Sequence, residues 1–141
     1  MVRRIVLLRD ALDDDAMLSE LAEATRSLAE QPNNVFGHCD VRSDNLTYNR
    51  HTGQVKLVDW NWASYTPVGF GPTEFLVEAA QQGVDVTPWL NYLNPQLLAA
   101  MIGIYGRKCI ETPPPHLDSK LRDFQAGLAA MAYWLYSEMQ S

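Results

Sequence analysis

The stretch VFGHCDVRSDNLTYNRHTGQVKLVDWNW, residues 35–62, decides how this chain is read. Val35 and Phe36 are predicted to form a short buried strand, and the polar residues 40–44 a loop. Residues 46–48 and 54–58 flank the turn-rich Asn49-Arg50-His51-Thr52-Gly53 and are predicted to be two strands of a hairpin. A hairpin returns the chain to where it began, so Asp59 at its far end is expected to approach Asn45 at its start, both beside Asp40.

Those three residue types have a chemical meaning in that order. Transfer of a phosphoryl group from a nucleotide needs a carboxylate to orient and accept the proton of the attacking hydroxyl. It also needs oxygen ligands to hold magnesium against the phosphates. Neither H-x-D-x-x-x-x-N nor a D-W dipeptide is specific alone, because loop residues beside a surface hairpin produce either by chance. Together, in order, separated by a hairpin and preceded by an apolar strand, they form a much more selective signal.

The string H-C-D-V-R-S-D-N, a hairpin and then V-D-W resembles the catalytic and metal-binding segment of the aminoglycoside phosphotransferase and choline kinase group. These are small-molecule relatives of the protein kinases, whose own pattern is H-R-D-x-x-x-x-N followed by D-F-G. The resemblance implies that Asp40 is the catalytic base and that Asn45 and Asp59 bind the magnesium and, through it, the nucleotide. It gives Arg42, two residues after the base, the task of neutralising charge on the transferred group, and makes His38 a structural brace. Magnesium and ATP, or another nucleoside triphosphate, are the implied cofactors, and a small-molecule hydroxyl compound is the implied acceptor. Cys39 departs from the family, which usually has Gly there, and this touches the loop geometry.

The implied fold is α+β and mainly helical: the C-terminal lobe of a protein-kinase-like fold, a single domain over residues 1–141, with a short β-hairpin beside the catalytic loop. Complete kinases add a mostly β N-terminal lobe carrying a glycine-rich loop and a strand Lys. In this sequence no Lys precedes Lys56 and no Gly precedes Gly37. The nucleotide-clamping lobe is therefore read as absent, and the chain is expected to be incomplete or inactive alone. The alternative is a non-catalytic small-molecule or protein-binding module derived from such a kinase. A metal-dependent hydrolase would need further His and Asp ligands that the sequence does not group.

Composition narrows the classes further. A 141-residue chain with 47% hydrophobic residues suits one globular core. A net charge of -6 and a pI near 4.9 argue against nucleic-acid binding. Cys39 and Cys109 are far apart, and His38, His51 and His116 are scattered, so two free thiols and no structural metal are expected. The apolar opening is cut by Arg9 and Asp10, too early for a secretory signal. Residues 97–105, the most apolar later segment, are far short of the ~20 needed to cross a bilayer. A cytoplasmic protein without membrane partners is expected. With no lobe to cover the apolar run Ile5 to Leu8, self-association is expected too.

Elsewhere the periodicity predicts helices. Residues 13–30 carry Met17, Leu18, Leu21, Ala24 and Leu28 at helical spacing behind three aspartates. Residues 61–72 are predicted to be loop, with Gly69 and Gly71 in a turn, followed by a helix over 73–82 capped by Thr73. In the resembling families an acidic residue follows here in a D-L-A-like pattern, and either Glu74 replaces it or nothing does. Thr87-Pro88 and Asn94-Pro95 start helices over 89–93 and 96–110. Pro113, Pro114 and Pro115 impose a break before a last helix over 117–139 with Leu121, Phe124, Leu128, Met131, Leu135 and Met139 on one face.

Overall fold

In the computed structural model, which describes residues 2–110 and 119–140, the chain runs α1 (Val2–Leu12), α2 (Asp15–Glu30), β1 (Val35–Gly37), β2 (Leu46–Tyr48), β3 (Val55–Leu57), β4 (Ser64–Thr66), α3 (Phe70–Gln81), α4 (Pro95–Ile110) and α5 (Ser119–Gln140). Three 3-10 turns lie between them, at Ser43–Asn45, Trp60–Trp62 and Thr87–Tyr92. The molecule is mainly helical, with two small antiparallel sheets, and divides into two compact units.

Residues 31–94 form the unit that carries the motif. The expected hairpin is present: β2 pairs antiparallel with β3, Leu46 opposite Leu57 and Tyr48 opposite Val55. Its turn is closed by Asn49, whose Oδ1 accepts from the His51 and Thr52 N–H groups at 2.9 and 3.2 Å. Gly53 follows at φ 71°, the left-handed conformation open to glycine. The second sheet corrects an expectation, because residues 61–72 are not all loop. Ser64–Thr66 is β4, antiparallel to β1 with Phe36 opposite Tyr65, and a 3-10 turn precedes it. A three-residue strand leaves almost no periodicity, and its partner lies some thirty residues earlier. β1 is also less buried than expected, with Val35 and Phe36 both exposed.

α3 starts earlier than predicted, with Gly71 and Pro72 inside its first turn, where a missing N–H is tolerated. Gly69 stands immediately before it at φ 83°, and a Cβ there would meet the Tyr92 carbonyl oxygen at 3.1 Å. Gly69 is thus a close-packed helix entry, while Gly71 belongs to the helix rather than to a turn. Thr73 is not a cap. It is fully buried, and its Oγ1 accepts from the Asn94 N–H at 2.8 Å. The turn at Thr87–Tyr92 is held by Asp85, whose Oδ1 accepts from the Thr87 N–H and hydroxyl at 3.1 and 2.7 Å.

Residues 1–30 and 95–141 contribute the second unit, in which α1, α2, α4 and α5 pack together. Asp14 caps α2, accepting from the Ala16 N–H at 2.9 Å. Leu8, Leu21, Leu98, Ile102, Met131 and Leu135 are buried, as the spacing of the last four on α4 and α5 requires. Arg4 lies 4.3 Å over the Trp134 ring. The Tyr136 hydroxyl donates to Glu20 at 2.8 Å and, through burial first and that anion second, is pushed up to about 12. α1 was not anticipated as a helix; its start reads from sequence only as a short basic and apolar run. The Cys109 side chain and residues 113–117, with their prolines and His116, lie outside the described residues. No helix among the described residues is long and apolar enough to cross a membrane.

Candidate functional site

The loop between β1 and β2 is stitched to the far end of the hairpin. His38 is buried, 2% exposed, and its Nε2 lies 2.6 Å from the Val58 carbonyl oxygen, so Nε2 carries the proton and donates. The Val58 N–H in turn donates to the Asn45 carbonyl oxygen at 2.8 Å. Both sides of Val58 are therefore fixed by the two ends of the loop, and Asp59 is the next residue. Each such bond adds only about 1 kcal/mol net, but together they leave the chain little freedom before Asp59. The His38 ring also packs edge-on against Trp60, with centroids 4.9 Å apart. Its Nδ1 is buried without a partner.

Asn45 and Asp40 meet directly. Asn45 Nδ2 donates to the Asp40 backbone oxygen at 2.9 Å and to Asp40 Oδ2 at 3.0 Å. Both amide protons are thereby used, which turns Asn45 Oδ1 toward the role of an acceptor or cation ligand. Asp59 is exposed, at φ 61° and ψ 62°, and its Oδ1 accepts from Asn61 Nδ2 at 2.5 Å. Asp is among the few side chains that adopt this backbone conformation with little penalty. Hard carboxylate and amide oxygens of this kind suit magnesium. Among the described residues no group of three or more His, Cys, Asp or Glu side chains is gathered to hold a metal.

Arg42 is differently engaged from what its expected role requires. Its guanidinium forms a two-point contact with Asp44, Nε to Oδ1 at 3.0 Å and NH2 to Oδ2, and stands 3.8 Å from Asp40 Oδ1. The hydrogen bond to Asp44 holds Arg42 above its ordinary value and Asp44 below its own. Cys39, the position that departs from the family, has φ 61°. The backbone there keeps the left-handed conformation that favours Gly, although the side chain is not Gly.

α3 reaches the same loop with two carboxylates one turn apart. Glu74 Oε2 accepts from the Val41 N–H at 3.4 Å. Burial, opposed by that bond and supplemented by the Asp40 charge, pushes Glu74 up to about 7. Glu78 Oε2 accepts from the Ser43 N–H at 2.7 Å and Oε1 from the Ser43 hydroxyl at 3.0 Å, with Gln82 Nε2 donating to the same Oε1 at 3.1 Å. Glu78 was not anticipated; the only sequence signal is that it lies four residues after Glu74. Val41 also lines an apolar cavity of about 580 Å³, walled further by Phe75, Leu76, Val86, Trp89 and Tyr92. Its volume falls in the range of small-molecule sites. Phe36, Trp60 and Tyr65 form an exposed aromatic cluster, with the Phe36 ring 6.4 Å from Trp60 and 5.5 Å from Tyr65.

Of the residues singled out from the sequence, Asp40 and Asn45 are in contact. Asp59 is tied to them through Val58 rather than by its own side chain, and Arg42 is turned toward Asp44. A family model described as choline/ethanolamine kinase matches residues 9–98, more than half of the chain and the whole of this loop, hairpin and α3. No curated protein and no solved structure matches it.

Proposed function

The chain belongs to the choline/ethanolamine kinase family, and from that premise we propose that residues 38–59 are the acceptor-binding and metal-binding part of a site for phosphoryl transfer to a small-molecule alcohol. The observation that carries this is the Asn45 side chain held on the backbone oxygen and Oδ2 of Asp40 while its backbone fixes Val58 next to Asp59. Asp40 Oδ2 is occupied by Asn45, so Oδ1, with only a long contact to Arg42, is the oxygen left to take the acceptor's proton. Asn45 Oδ1 and the Asp59 carboxylate are the oxygens proposed to hold magnesium, which when bound neutralises phosphate charge beside the nucleotide. Arg42 must leave Asp44 to reach a phosphoryl group. Glu74 fills the place of the acid expected after the hairpin, holding Val41, the residue that follows the base.

Positioning and electrostatics supply most of the rate in this chemistry. Residues 1–55 contain no Lys and residues 1–36 no Gly. For these residues by themselves we accordingly propose weak nucleotide binding and little transfer, in a cytoplasmic setting. A second reading, a non-catalytic binding module on the same fold, draws support from the exposed aromatic cluster of Phe36, Trp60 and Tyr65.

Calorimetric titration with ATP, with and without magnesium, separates the two. Magnesium-dependent binding that weakens in Asp59→Asn is expected. Where transfer is measurable, Asp40→Asn should lower it about a hundredfold to ten-thousandfold with binding retained. Nucleotide binding indifferent to both magnesium and Asp59 would overturn the phosphotransfer reading. Partner capture that survives Asp59→Asn would favour the module.

A further inference from the structure

Glu78 is an ionisable side chain, 7% exposed, on a helix that carries none of the motif residues. Burying a carboxylate is expensive unless donors surround it. Three donors do: the Ser43 N–H, the Ser43 hydroxyl and Gln82 Nε2, while no basic side chain among the described residues forms an ion pair with it. Gln82 also donates to the Ser43 hydroxyl oxygen at 3.1 Å, closing a ring of contacts around Ser43. An apolar residue of similar volume at this helix position would leave the Ser43 N–H and Gln82 Nε2 without this acceptor, so the carboxylate is tied to the loop it holds.

The target of the grip gives the reason for a carboxylate. Ser43 opens the 3-10 turn Ser43–Asn45, three residues after Asp40 and two before Asn45. The Asn45 N–H closes that turn on the Arg42 carbonyl oxygen at 3.0 Å, and the Asn45 side chain then reaches back to Asp40. Moving Ser43 moves Asn45, and moving Asn45 releases Asp40 Oδ2 and the Val58 N–H together. A charged acceptor held in a low-dielectric site forms shorter and stronger bonds to backbone N–H than a neutral one. The Ser43 N–H bond at 2.7 Å is of that kind.

We infer that Glu78 is a positioning residue of the transfer site: through Ser43 it sets where the turn places Asn45, and through Asn45 where Asp40 and Val58 lie. This rests on the phosphotransfer reading for its kinetic consequence, but its structural part can be tested separately. The series Ser43→Ala, Glu78→Gln and Glu78→Ala removes progressively more of the grip. The reporter is the Asn45 side-chain NH2 by NMR, whose two protons are tied to Asp40, together with amide hydrogen exchange at Val58 and, as a control in the other unit, Leu135.

Down the series the Asn45 NH2 protons should move toward free-amide shifts. Val58 should lose protection by about ten- to a hundredfold, the scale for bonds to a charged acceptor, with Leu135 unchanged. Because Ser43 is exposed, Ser43→Ala keeps the test open if Glu78→Ala does not fold. Unmoved Asn45 protons in folded variants, or a loss shared equally by Val58 and Leu135, would show Glu78 to be structural only. Where the parent chain transfers phosphate, kcat should fall with nucleotide KM nearly unchanged, and a rise in KM alone would count against the proposal. Nucleotide binding by the parent that is indifferent to magnesium and to Asp59 would tell against the phosphotransfer reading, leaving the NMR series to decide the role of Glu78.

Discussion

Replacing Glu74 by Gln should stabilise the protein, and only at neutral and alkaline pH. Glu74 is pushed up to about 7 from an ordinary 4.5, first by burial and then by the Asp40 charge, against the Val41 N–H and His38, which act the other way. A folded-state value above the unfolded one means that the folded protein binds the extra proton between about 4.5 and 7. Stability from this group is then full below about 4.5 and is lost as pH rises through about 7. At about 1.4 kcal/mol per tenfold, the whole effect is at most about 3 kcal/mol. Glu74 is only partly buried, and solvent screening brings this to about 1–2 kcal/mol. Gln removes the charge and keeps an oxygen for the Val41 N–H, so the variant should escape the loss. Urea unfolding of both proteins at pH 5 and pH 8 measures it: the gain from Glu74→Gln should be near zero at pH 5 and about 1–2 kcal/mol at pH 8. An equal difference at the two pH values would refute the assignment of a buried, ionising Glu74.

Two further outcomes follow from single observations. Cys39→Gly should raise Tm by a few degrees, because relief of about 1–2 kcal/mol of left-handed strain at φ 61° outweighs the ~0.4–1 kcal/mol of added unfolded-state freedom; a lower melting temperature would show that the Cys39 thiol packs more favourably than its backbone is strained. Ile5, Val6 and Leu7 are exposed along α1, so light scattering should show mass rising with concentration, and Val6→Glu should reduce that rise; a monomer mass that holds at high salt would exclude association through this face.

What was legible in the sequence was local. Asn49 to Gly53 carries its own turn chemistry, and that fixed the hairpin without knowledge of the rest of the fold; the expected neighbour of Asn45 was Asp59, whereas the bond is made by Val58. The apolar spacing that found α2, α4 and, from Ser119 on, α5 likewise needed only a helical period. The misses were positions whose role comes from a distant partner. Ser64–Thr66 is a strand because β1 lies beside it. Thr73 looks like a cap by composition but is used as a buried acceptor for the Asn94 N–H.

Glu78 is the sharpest case, because its spacing on α3 is that of a buried residue and its chemistry that of a surface one. Only the position of Ser43 resolves the conflict. The motif names the residues that would carry the chemistry, but not what holds them in place. His38 and Asn45 fix the hairpin end from within the motif, while Glu74 and Glu78 fix the loop from a helix that follows it. A loop gripped from both sides has a defined geometry even where its own sequence departs from the family, as it does at Cys39. This is why the left-handed backbone persists there without glycine: four contacts outside the residue, at about 1 kcal/mol net each, together exceed a strain of about 1–2 kcal/mol.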